Sequence, residues 1–303
     1  MGLPDPLGVG GAASDLVRSS VARAFRLRLS GAPKGPEIAV DGDAGWFGPD
    51  SVAWRVHADL GTVIGGLRAL LYQTLQPLAM AGVAEHSDYR SDPWGRLHRT
   101  AEFVAATTFG TSAEAGAAVA RVQRVHEHVR GTAPDGRPYA ADDPVLLAWV
   151  HATEVDSFLA AYRRYGAGLT DAEADQYVAE MAIVAIAFGA DPVPTSVAEL
   201  ASVLAGYELH ATREARDATR FLMFPPLPLS ARGSYAVIAA AAVELLPLRA
   251  QVELRLVVPP LVGPMGVRPA ARALFGTLRW ALGESPTLAA ARARVAVGAD
   301  SAI

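Results

Sequence analysis

The chain has 303 residues, 51% of them hydrophobic and 19% charged, with a formal net charge of -4. That balance excludes a disordered chain and supplies no basic field for nucleic acid. Cysteine is absent, which excludes disulfides, thiolate nucleophiles, iron–sulfur clusters and Cys-based zinc sites, so any metal must be held by histidine, carboxylates or a porphyrin.

Helix start and stop signals recur along the chain, and alternating strand patterns are nearly missing. Residues 12–29 form a first amphipathic segment. A Gly/Pro-rich loop follows at residues 31–48, with Ile38, Ala39 and Val40 as its strand-like piece. Residues 59–75 read as a buried helix stopped by Pro77, and residues 94–109 as the next, ending at Gly110. Thr111 and Glu114 make a capping box for a helix over residues 111–130, with Gly131 as its stop and a polar loop at 132–139. Asp143 caps a helix that has Pro144 at its first position and closes at Gly166. Thr170 with Glu173 opens another, ended by Gly189, and Ser196 with Glu199 opens a further one. Pro225, Pro226 and Pro228 precede a helix at residues 234–246, and the tail from Arg268 reads as two short helices split by Gly283 and Pro286.

These signals predict an all-α fold: a single multi-helix domain without repeats or long linkers. Its parts are an N-terminal helix and loop (residues 1–44), a helical core (45–260) and C-terminal helices packed on that core (261–303). The first residues lack the apolar centre of a leader peptide. The most apolar stretch, residues 235–248, is mostly alanine and too short to span a bilayer. A cytoplasmic protein with no transmembrane segment is expected.

Two histidines fall on apolar helix faces. On the helix over residues 111–130, Ala115, Ala118, Val119, Val122, Val125 and Val129 make one stripe, and His126 lies on it. Arg130 follows His126 by one turn, while His128 points away with Arg121 and Arg124. A neutral imidazole beside a guanidinium suits a haem iron and a propionate, but a lone histidine on such a face also serves as an ordinary hydrogen-bonded core residue. His151 has the same two readings. Leu147, Val155, Phe158 and Tyr162 flank it at helical spacing, and Trp149, Thr153 and Asp156 are available to bond its nitrogens. Arg96, Arg99 and Thr100 share one side of a helix start, where positive charge opposes the dipole. That placement suits a nearby anion or a solvated basic turn. P-loop, nucleophile-elbow and His-Glu-x-x-His motifs are all missing.

The segments Arg96-Leu97-His98-Arg99-Thr100, Phe109-Gly110-Thr111, residues 122–131, residues 134–139, Trp149-Val150-His151-Ala152-Thr153 and residues 175–181 together resemble the MpaB-type oxygenase family. That family includes the rubber oxygenase called latex clearing protein. The resemblance runs over roughly residues 45–260. It implies a non-covalent haem b held between helices, with His126 as iron ligand, and with Arg96, Arg130 and His151 as further cofactor contacts. Arg99 and Thr100 would approach the reacting oxygen. The chain departs from the pattern at Gln76, where many members have histidine before the proline. The distal glutamate of the rubber-cleaving members has no assigned counterpart, Glu85 being the nearest acidic residue.

The resemblance thus implies a haem b-dependent oxygenase that uses O₂ or a peroxide on a small, mainly apolar substrate. Rubber itself is not expected as substrate for a cytoplasmic protein. The alternative is a haem-free helical protein that binds a hydrophobic ligand or a protein partner. A carboxylate-bridged metal enzyme is disfavoured, because the paired Glu-x-x-His motifs of such bundles are missing.

Overall fold

The computed structural model describes residues 38–300. The amphipathic segment at residues 12–29 lies outside the described residues. Within them are thirteen α-helices, one π-helical turn and one two-stranded sheet. The helices are α1 (Val52–His57), α2 (Thr62–Gln73), α3 (Pro77–His86), α4 (Pro93–Phe109), α5 (Ser112–His126), α6 (Pro144–Tyr165), α7 (Asp171–Phe188), α8 (Val197–Ala205), α9 (Arg213–Met223), α10 (Leu229–Leu245), α11 (Leu248–Leu254), α12 (Arg268–Leu282) and α13 (Pro286–Asp300). The strands β1 (Arg130–Thr132) and β2 (Pro138–Ala140) pair antiparallel, and the π turn is Gly263–Val267.

The predicted caps are in place. Thr111 with Glu114 and Thr170 with Glu173 form complete capping boxes, Asp143 caps α6 ahead of Pro144, and Gly189 ends α7 in the left-handed region at φ 86°. Pro77 both stops α2 and starts α3, where Gln76 is the cap. Helices α1, α3, α9 and α11 have no counterpart in the sequence reading; α1 and α11 have only 6 and 7 residues and leave little periodicity to see. Residues 38–40 form no strand. Strand pairing falls instead on residues 130–132 and 138–140, which read as a helix end and a polar loop.

Helix α6 is the axis of the core. Its Trp149 and α2's Tyr72 pack edge to face at 5.2 Å, and both are fully buried. At Gly65 the backbone of α2 touches α6: a Cβ there would lie 2.7 Å from Phe158 Cδ1 and 3.1 Å from Ser157 O. One turn on, Arg68 is 3% exposed. It donates to Leu245 O at 2.9 Å, Ser157 Oγ at 2.6 Å and Asp156 Oδ2 at 2.6 Å, tying α2 to α6 and to the end of α10.

The C-terminal helices belong to the same body. Arg294 of α13 is 1% exposed and donates to three carbonyls: Asp43 O at 3.0 Å, Ala39 O at 2.9 Å and Phe109 O at 2.5 Å. Removing it strands buried acceptors, each worth about 1–3 kcal/mol when left unsatisfied. Arg294→Met is therefore expected to lower unfolding free energy by about 3 kcal/mol or more, read as the urea midpoint. An unchanged midpoint would show that α13 is dispensable to the core.

Candidate functional site

Helix α5 ends at His126, one turn short of the prediction. Glu127 caps it, and Arg130 enters β1. The hairpin explains the early stop. Val129 O accepts from the Ala141 N–H at 2.9 Å, and Tyr139 is buried against α3, its hydroxyl bonded to the Glu85 carboxylate and lying 3.1 Å from His86 Nε2. Gly131 makes this possible, since a Cβ there would sit 2.5 Å from Tyr139 Oη. Docking a buried tyrosine outweighs another exposed helical turn. The pairing of His126 and Arg130 on one helix face is thus overturned. Arg130 is 57% exposed along its side chain, paired with Asp142, and its Nε donates to Glu127 O at 3.1 Å. Val125, placed on the apolar stripe by spacing, is 57% exposed. Glu85, bonded to Tyr139, serves the hairpin.

His126 lines a cleft of about 280 Å³ with Gln123, Glu127, Asp142, Leu147 and Phe188. The Phe188 ring lies 6.2 Å from its own, and Phe103 of α4 lies 5.4 Å from Phe188. Burial holds the imidazole below its ordinary pKa, with Asp142 pulling the other way. Nδ1 is sealed from solvent and has no hydrogen-bond partner. Nδ1 does not reach the carbonyl one turn earlier, the usual partner on a helix. His128 makes that bond instead, to Arg124 O at 2.8 Å, on the exposed side of the chain.

On α6, His151 lies one turn beyond Leu147, and Glu154 nearly two. Both side chains keep some accessible surface, yet desolvation pushes His151 down to about 4 and Glu154 up to about 7. Desolvation of this kind disfavours the charged form of each side chain. The neighbours that could have satisfied His151 are committed elsewhere. Trp149 Nε1 donates to Gln73 O at 3.3 Å, Thr153 Oγ1 to Trp149 O at 2.8 Å, and Asp156 accepts from Arg68. Neither His151 nor Glu154 bonds a protein group among the described residues. Glu154 was not picked out from the sequence; its signal was the three-residue spacing from His151. The row continues inward to Tyr177, whose pKa is raised by burial and then by Glu154, and whose hydroxyl lies 3.1 Å from His57 Nε2.

The basic start of α4 joins this region through its own helix face. Arg96, Thr100 and Phe103 follow at i, i+4 and i+7, so the stripe that ends in the Phe103–Phe188–His126 ring contacts begins at Arg96. Arg96 is half-buried, and desolvation lowers its pKa. Its bonding partner is the neutral Ser87 Oγ, at 2.9 Å. Arg99 is exposed and meets Asp92 at 3.4 Å, while Thr100 Oγ1 donates to Arg96 O at 3.1 Å. The structure thus links His126 through Phe188 and Phe103 to the helix face that begins at Arg96, sets His151 and Glu154 on the α6 face of Leu147, and leaves Arg99, Thr100 and Arg130 exposed.

A larger open groove of about 1370 Å³ is lined by Arg137, Tyr207, His210, Arg213 and Arg249, among others. It contains none of these site residues, and its mixed charges partly pair with each other, as Arg137 does with Asp135. Among the described residues no three His, Asp or Glu side chains cluster as a chelate. No helix of the described residues is long and apolar enough to cross a membrane.

Residues 54–282 match the family described as ER-bound oxygenase mpaB/B'/Rubber oxygenase, catalytic domain. No curated protein and no solved structure matches the chain. The matched span runs from α1 through α12 and takes in His126, His151 and the Arg96 face, so the chain belongs to the MpaB/rubber oxygenase family and is an oxygenase.

Proposed function

We propose that the protein is a haem b-dependent oxygenase that uses O₂ or a peroxide on a small, mainly apolar substrate, with His126 as axial ligand. The observation that carries this reading is the state of His126. It is held neutral by burial, has no protein partner, and stands in the wall of a cleft between α5, α6 and α7. A neutral, uncommitted imidazole is what haem iron takes. With Nδ1 sealed, Nε2 is the nitrogen left to face the cleft.

Haem, when bound, would supply the iron chemistry that activates the oxidant. The chain supplies the rest. Arg96, desolvated and bonded only to a neutral hydroxyl, would hold a propionate. Arg99 and Thr100, further along the same helix start, would orient oxidant or substrate. Phe103, Leu147 and Phe188 exclude water. His151 and Glu154, on the same α6 face as the cleft residue Leu147, would supply a neutral imidazole and a carboxyl pushed up to about 7, both able to hold a proton. Arg130 reaches the rim but is engaged by Asp142, so its share in anchoring is smaller.

One observation favours the haem-free alternative. The cleft of about 280 Å³ lies just below the range of ligand sites, about 300–1,000 Å³. Colour decides between the two. Protein produced with adequate haem should show a Soret band, and pyridine treatment should report haem b. Colourless protein that takes up no added haemin sinks the proposal. Titration then ranks the arginines. Arg96→Ala is expected to weaken haemin binding by about ten- to a hundredfold, the value of a buried charge-assisted bond. Arg130→Ala should weaken it less, because an exposed, paired guanidinium contributes little. The reverse order would move the propionate to the hairpin.

A further inference from the structure

The stretch from Leu256 to Val267 connects α11 to α12 and contains no charged residue. Its side chains stand in the open: Leu261 is 71% exposed, Met265 76%, Val257 54% and Val262 48%. Exposed large apolar residues are ordinary when scattered. Four within nine residues, interspersed with Pro259, Pro260 and Pro264, form a patch that needs a cover.

From these observations we infer that residues 256–267 form a membrane-docking loop that seats the protein on an anionic lipid surface without spanning it. Three features favour lipid over a protein partner. The first is backbone accounting. Backbone groups that are satisfied internally or missing lower the cost of leaving water, and the loop has several of each. The three prolines have no N–H to desolvate. The Leu256 N–H donates to Gln251 O at 2.8 Å, Val258 to Gln251 Oε1 at 3.0 Å, Val262 to Pro259 O at 3.0 Å and Met265 to Leu261 O at 3.1 Å.

The second feature is charge. In a chain of net charge -4, residues 254–283 hold four arginines and no carboxylate. Arg268 and Arg279 are spent on Glu244 and Asp59. Arg255 and Arg272 flank the loop, exposed and without an ion-pair partner among the described residues. Apolar residues bordered by free cations match the layering of a membrane interface, acyl chains beneath anionic headgroups.

The third is support. Gln251 is 8% exposed and locks the loop's start, its amide donating to Leu246 O at 2.9 Å while its carbonyl accepts from Val258. At the far end Gly263 packs on Glu244, where a Cβ would lie 2.9 Å from Glu244 Cγ. The loop is therefore held out on a fixed scaffold. This inference does not depend on haem or on any substrate.

Co-sedimentation of the full chain with vesicles tests it. The probes are phosphatidylcholine vesicles with and without about 30% phosphatidylserine, at low and physiological salt. The wild-type chain is expected to sediment with the anionic vesicles, and less so at higher salt. Leu261→Asp with Met265→Asp should abolish binding, and Arg255→Gln with Arg272→Gln should weaken it about thirtyfold, two lost cations at the surface. All four side chains are exposed, so the variants should keep the wild-type circular dichroism and melting temperature. Failure of the wild type to sediment with either vesicle, or equal sedimentation of wild type and Leu261→Asp/Met265→Asp, overturns the inference. So does a dimer in sedimentation velocity that the aspartate variant converts to monomer while vesicles stay unbound, for the patch would then cover a second copy.

Discussion

Replacing His126 with alanine is expected to lower haemin affinity by more than about a hundredfold and to remove the Soret band from purified protein. Loss of an outer-shell partner of a metal-bound histidine already costs about 10–100-fold, and loss of the ligand itself must cost more. The fold should survive. His126 makes no hydrogen bond that its removal would break, and it is only half-buried, so a melting temperature within a few degrees of wild type is expected. His128→Ala is the matched control. That residue is exposed and bonds only Arg124 O, and its loss should leave haemin uptake unchanged. Soret titration of wild type, His126→Ala, His128→Ala and His151→Ala separates the possibilities. Retained affinity in His126→Ala with loss in His151→Ala would transfer the ligand from α5 to α6.

The sequence located these two helices but only part of their relation. The caps were legible because a capping box or an Asp-Pro start is a local interaction between residues three apart, and those at Thr111, Asp143 and Thr170 formed as read. The end of α5 was not legible. Val129 and Arg130 continue a helical pattern, and what breaks it is Tyr139 docking on α3 with Gly131 giving way. That is tertiary, and no window around residue 130 contains it. The same event moved Arg130 off the His126 face, so the arginine argument transferred from Arg130 to Arg96. His151 showed the opposite outcome. Its possible local partners were read correctly as capable, yet each is drawn off by α2 or by its own helix backbone. The free histidine is a consequence of α2–α6 packing around Arg68. The ligand role of His126 and the haem rested on family resemblance beside the helix pattern. The family match supports the oxygenase class, and the haem is left to the spectroscopic test.

Glu154 supplies the second large effect, and it runs against the usual behaviour of carboxylates. Most folded-state carboxylates are paired and have depressed pKa values, so they favour the fold above the unfolded pKa. Glu154 is desolvated, unpaired and pushed up to about 7 from the ordinary 4.5. Between those values the native state holds a proton that the unfolded chain has released, so stability falls as pH rises through this window and stays lower above it. At pH 8 the penalty is on the order of 3 kcal/mol, from about 1.4 kcal/mol for each pKa unit. Glu154→Gln keeps the shape and removes the ionisation. The variant is expected to be more stable than wild type by roughly that amount at pH 8, and close to equal at pH 4.5. His57 and His151, both lowered to about 4, act in the other direction. Their neutral native forms cost stability as pH falls below 6.5, the ordinary histidine value. That cost is common to both proteins and cancels in the difference. Urea unfolding of wild type and Glu154→Gln at pH 4.5, 6 and 8 measures the effect. A stability difference that does not grow with pH would mean that Glu154 is solvated in the native state. A difference that grows with pH in the haem-free protein and shrinks when haemin is added would place Glu154 beside the bound group.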